Sequence, residues 1–161
     1  MINKLHLAMI ELYSGDAKRI QHFCKVHSYA KLIAETENVD EKCLFIIEAA
    51  ALTHDIGIHL CEEKYGNCNG KLQEKEGPAI AEKLLAKLGF DRDISDRVQY
   101  LIAHHHTYSN IDGIDYQILV EADFLVNIME DGLSKEAALK AYHSIFKTAC
   151  GKTICREMFN I

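Results

Sequence analysis

One proline and no tryptophan occur in 161 residues. With a single proline, few helix breaks are enforced by ring sterics. No stretch alternates apolar and polar residues with period two for long enough to suggest a sheet. Basic excess is missing too: 18 Lys and Arg stand against 24 Asp and Glu, a net charge of -6. That balance offers no electrostatic footprint for a nucleic-acid polymer. The longest apolar runs are interrupted by Glu48, Glu121 and Asp123, so no membrane span is expected. The opening Met1 to His6 is too polar for a signal peptide. Six cysteines without such a leader are expected to be reduced thiols of a cytoplasmic protein. Cys61 and Cys68 have the wrong spacing for a zinc knuckle, Cys150 and Cys155 have no histidine close by, and all six read as packing residues.

Apolar residues recur instead at helical spacing almost throughout. Stops at Gly15-Asp16, Asn38 to Asp40, Gly57, Gly89 to Asp91, Asp112-Gly113 and Asp131 to Ser134 divide the chain into about seven helices. The expected fold is therefore all-α, a compact helical bundle. At 48% hydrophobic content, one domain over residues 1–161 burying about two-thirds of its unfolded surface is expected. Ile58 to Lys75 reads as a long irregular stretch with a Gly- and Asn-rich centre, a candidate lid or substrate-selecting loop. Lys64, Lys71 and Lys75 cluster there. Lys71 and Lys75 are candidate phosphate contacts, the alternative being a solvated loop. The face formed by Leu5, Met9 and Leu12 packs either within the domain or against a second copy, leaving a homo-oligomer open.

The chemistry concentrates on His54-Asp55, at the end of the apolar run Ile46 to Leu52. Asp40 is the expected N-cap, Glu41 to Ile56 the helix and Gly57 its stop. Both side chains then lie in a last helical turn, whose uncompensated carbonyls favour a cation by about 1 kcal/mol or less. His22 falls on a helix from Asp16 to Glu37, on the apolar face of Val26, Tyr29, Ala30 and Ile33, so it points inward. Asp123 lies on a helix from Ile114 to Glu130, on the side of Leu119 and Val126 with no Lys or Arg within a turn. An ionised carboxylate there is costly unless paired or metal-bound. A further helix, Asp91 to His106, ends in three consecutive histidines. Of these, His105 lines up with Leu101 and Val98.

Taken in order, Arg19, Ile20 and His22, then Leu52 to Gly57, then the histidine run, then Glu121 to Leu125, resemble the motifs of the HD superfamily of metal-dependent phosphohydrolases. The resemblance spans about residues 16–130, leaving 131–161 as a C-terminal helical extension. It implies that His22, His54, Asp55 and Asp123 hold one divalent ion, with His54 and Asp55 at the catalytic centre. Two-metal relatives add three ligands, which the resemblance places at Glu76, His105 and His106, with Asp55 bridging. Glu76 stands where the family usually carries a histidine. It is either a ligand or an ordinary acid in the first turn of a helix beginning near Gly77-Pro78. The choice of His106 over His104 rests on the resemblance alone. The segment is also similar to the cyclic-dinucleotide branch of the family, but Thr107 replaces a glutamate and that branch's signature proline is missing, so this substrate is not expected.

The resemblance implies hydrolysis of a phosphoester, with a nucleotide or related small phosphate as substrate. One or two ions of Fe, Mn, Zn, Ni, Co or Mg suit such donors. Two other readings stay open: an HD-fold diiron oxygenase, and a metal-stabilised nucleotide-binding or sensor module without turnover.

Overall fold

The computed structural model describes residues 1–161. It contains nine helices and no strand: α1 Ile2–Leu12, α2 Ala17–Thr36, α3 Glu41–Thr53, α4 Ile58–Tyr65, α5 Gly70–Leu88, α6 Arg92–Ile102, α7 Ile114–Glu130, α8 Lys135–Ser144 and α9 Ala149–Phe159. Short polar side chains start most of them. Asp16, Asp40, Asn69, Ser134 and Thr148 each accept from the backbone N–H three residues on, closing one of the orphan donors of a first turn. Gly66 and Gly89 end α4 and α5 in the left-handed conformation.

Helix α3 is the axis of the bundle. Ile46 to Thr53 are all buried, because α1, α2, α6 and α7 surround this helix. The stretch Glu41–Tyr65 is long and apolar enough to cross a membrane by composition alone, although no such run was expected, and 67% of its apolar window is buried inside the fold. Helix α7 is nearly as enclosed, and one continuous core of 34 buried apolar residues joins all these elements. Of the α1 face, Leu5 and Met9 enter that core while Leu12 remains 48% exposed.

The C-terminal helices are fastened to α7 by one carboxylate. Buried Glu121 accepts from Lys147 N (2.6 Å), Thr148 N (2.9 Å), Thr148 Oγ1 (2.5 Å) and Gln117 Nε2 (2.7 Å). These donors, two of them backbone groups at the start of α9, make its burial tolerable.

Three expectations about element boundaries need correction. Ile58 to Lys75 is not an irregular loop: it is α4, a four-residue turn and the start of α5, with Asn69 as cap. Pro78 consequently sits inside a helix rather than at its beginning. Helix α3 ends at Thr53 rather than Ile56, with His54 as its C-cap. Gly57 has φ -81, so it is no left-handed stop. Its missing side chain serves a close crossing, since a Cβ there would lie 3.0 Å from Gly77 N and 3.1 Å from Gly77 Cα. Finally, α6 stops at Ile102, leaving His104 to His106 in a turn.

Candidate metal centre

Four elements bring their ligand-type side chains to one place. His22 comes from the second turn of α2, His54 and Asp55 from the corner after α3, Asp123 from the middle of α7, and His105 and His106 from the turn after α6. They form two groups, His22, His54 and Asp123 in one and Asp55, His105 and His106 in the other.

In the first group His22 Nε2 lies 3.2 Å from His54 Nε2 and 3.3 Å from Asp123 Oδ1, and His54 Nε2 lies 3.5 Å from the same oxygen. Two ligands each about 2.1 Å from one ion are about 3.0 Å apart at a right angle and about 3.4 Å apart at the tetrahedral angle. The three atoms thus have the spacing of neighbouring ligands. Asp55 joins the groups: Oδ2 is 3.6 Å from both His22 Nε2 and His54 Nε2, while Oδ1 is 3.4 Å from His105 Nε2.

Each imidazole of this inner set is braced at its other nitrogen. His54 Nδ1 donates to Ala51 O (2.9 Å), His105 Nδ1 to Ile102 O (2.8 Å) and His22 Nδ1 to Glu130 Oε2 (2.9 Å). These bonds select the tautomer whose lone pair is on Nε2 and aim it inward, as outer partners of metal-bound histidines do. Lone pairs and carboxylates facing one another repel unless a cation lies among them. Two of the converging atoms, His105 Nε2 and Asp123 Oδ1, are buried with no hydrogen-bond partner. The donor set therefore fits a divalent ion.

Electrostatics of the metal-free cluster point the same way. Burial alone would lower the pKa of His54, but Asp55 and Asp123 outweigh it and lift the group to about 9. Burial would raise Asp55, yet His54 and then His105 hold it at about 2. Asp123 is held well below the usual carboxylate range against its burial, by His22 and His54. His106 differs, pushed down to about 4 by burial and then by His105. A proton on His54 supplies the positive charge that an ion would otherwise bring.

Glu76 does not join the six. Its Oε1 accepts from Tyr65 OH (2.5 Å) and Lys64 Nζ (3.0 Å). The α5 residues that face the site are Gln73 and Glu74: Gln73 Oε1 accepts from His106 Nε2, and Glu74 Oε1 accepts from His106 N (3.1 Å) and Thr107 Oγ1 (2.9 Å). Beginning α5 near Gly77 had put Glu76 in a first turn, whereas it lies in the second turn of a longer helix and faces α4. His104 also turns away, stacking on Tyr100 at 4.2 Å, so the structure puts His106 rather than His104 beside His105. Lys75 lies over the Tyr65 ring and 3.8 Å from Glu76, while Lys71 is exposed in the first turn of α5. Sequence reading missed Gln73, Glu74 and the brace Glu130. Only Glu130 left a signal, standing two helical turns after Asp123 on α7.

The sequence pattern of the HD domain matches residues 19–147. The chain belongs to the HD domain family. That membership places it in a superfamily of metal-dependent phosphohydrolases. The fold of this HD domain is similar to the crystal structure of a predicted HD superfamily hydrolase from an uncultured Thermotogales bacterium, with a TM-score of 0.70 and 24% identity, covering 98% of this chain and 84% of that one. No curated protein matches the sequence.

Proposed function

We propose that this HD domain is a metal-dependent hydrolase of small phosphoesters, with a nucleotide as the substrate class. The observation that carries the reading is Asp55, whose two carboxylate oxygens face the two histidine groups separately. A divalent ion held by such donors lowers the pKa of water toward neutrality and polarises a phosphoryl oxygen. His22, His54 and Asp123 supply neutral nitrogen and anionic oxygen from rigid elements, and Asp55 ties this set to His105 and His106. Only Asp55 and His106 of the six are partly exposed, so substrate reaches the cluster past them.

The approach suits a phosphate. Helix α5 begins against the His106 ring, where a Cβ on Gly70 would lie 2.7 Å from Cγ, and the positive end of a helix dipole favours an anion. Lys71 stands in that first turn, and we assign it, with Lys75 nearby, to phosphate contact. Tyr108 OH is 3.5 Å from His106 Nδ1, and its ring packs edge-on against Phe124 at 5.0 Å. Such an aromatic pair offers a flat apolar wall to a base.

The test is a panel of nucleotide monoesters and diesters with Mn2+, run beside Asp55→Ala. Turnover by the wild type and its loss in the variant support the reading. Equal activity in both defeats the site assignment. Oxygen consumption by an iron-loaded form would transfer the assignment to a diiron oxygenase, and tight nucleotide binding without turnover would transfer it to a sensor module.

A further inference from the structure

Tyr13, the C-cap of α1, lies outside the segment that matches the HD domain pattern, yet it reaches the metal centre. Its side chain is 2% exposed, and its hydroxyl donates to the backbone carbonyl of Asp55 at 2.8 Å. The ring is held on two sides, edge-on to Phe23 at 6.1 Å and against His59 at 4.3 Å. The main chain is fixed as well, with Tyr13 N donating to Met9 O (3.0 Å) and Asp16 N donating to Tyr13 O (2.9 Å).

The target of this hydroxyl belongs to a ligand-type residue that lies outside any helix. Helix α3 ends at Thr53 and α4 begins at Ile58, so Asp55 lies in neither helix. Its carbonyl has one other partner, Ile58 N at 3.1 Å. A carbonyl held by two donors fixes its peptide plane, and with it the direction in which the Asp55 side chain leaves the main chain. Asp55 must direct one oxygen to each histidine group, so small errors there act on both.

We infer that Tyr13 is a positioning residue for Asp55, which makes α1 a working part of the metal centre. This rests on the metal-dependent reading above. Tyr13→Phe keeps the ring and removes the one hydroxyl. Outer partners of metal ligands change affinity by about 10- to 100-fold. The variant acts through a ligand's backbone, so a Mn2+ Kd raised about tenfold is expected by calorimetric titration, with a lower kcat and an unchanged KM. Met9→Ala, one turn earlier on α1 and buried, loosens the same packing but leaves the phenol. It should lower Tm while keeping the Mn2+ Kd near that of the wild type. Wild-type Mn2+ affinity and kcat in Tyr13→Phe would overturn the inference while leaving the metal reading intact. Equal losses in both variants would overturn it too, since packing alone would then account for them. A wild-type protein that binds no Mn2+ would overturn the metal reading and this inference together.

Discussion

The two halves of the ligand cluster are built differently. His22, His54 and Asp123 are buried on long helices or directly at the end of one, and both of their imidazoles are braced by Ala51 O or Glu130. His105 and His106 lie in a turn that must be held from outside. Glu74 grips the backbone at His106 and the hydroxyl of Thr107, Tyr116 OH shares its one proton between His104 O (2.5 Å) and Thr107 O, and Gln73 takes the ring of His106. The first half is therefore preorganised by the core. In the second, His105 is buried and braced by Ile102 O, whereas His106 depends on side-chain contacts at the partly exposed rim, and Asp55 is the one residue both halves share.

The comparison breaks most completely at that shared residue. Asp55→Ala should release metal from both halves and lower kcat/KM by about three orders of magnitude or more, the scale of losing a preorganised electrostatic contact at the reaction centre. Steady-state kinetics with metal analysis of the same samples check this. His106→Ala should separate the halves, keeping the ion held by His22, His54 and Asp123 while the second equivalent is lost. If both equivalents disappear, the halves are not independent.

Acidity sharpens the contrast from another side. In the metal-free cluster the pKa of His54 is raised to about 9, so a proton competes for Nε2 below that pH. The apparent Mn2+ affinity should therefore climb as pH rises from 6 and level off above about 9, with proton release on binding. In the metal-free protein the same raised pKa has a defined sign. Its stabilising contribution is fully present below the ordinary histidine value, about 6.5, and is lost as pH rises through 9. Thermal melts of chelated protein across that window should show Tm falling.

Smaller effects are expected further out. Gly57→Ala places a methyl group 3.0 Å from Gly77 N, and backbone yields little, so a loss of about 1–3 kcal/mol is expected from overpacking and is read by denaturant unfolding. Glu76→Ala should leave metal content unchanged, because the carboxylate is occupied with Tyr65 and Lys64. A lost equivalent in that variant would mean that Glu76 reorients toward the ions.

Much of the fold was legible in sequence because buried helices carry period and caps, while the grouping of His22 and Asp123 with His54 and Asp55 rested on the family resemblance. Helix α7 has the expected bounds, and the inward faces carrying His22 and Asp123 follow from spacing alone. The errors fall where tertiary contact overrides local signals. Gly57 and Pro78 are ordinarily punctuation, yet here Gly57 serves a close crossing with Gly77, and Pro78 sits within a helix whose start was fixed by Asn69. The α5 face was misjudged for the same reason: shifting a helix start by seven residues changes which side chains face the site. Tyr13, Gln73 and Glu74 act through contacts far apart in the chain, which no local pattern announces.

Metal content per chain is the most direct measurement, by elemental analysis of protein prepared without chelator or nickel affinity, beside Asp55→Ala. Two equivalents in the wild type and none retained in the variant are predicted. A wild-type protein without metal, or a variant that keeps both ions, would contradict the account.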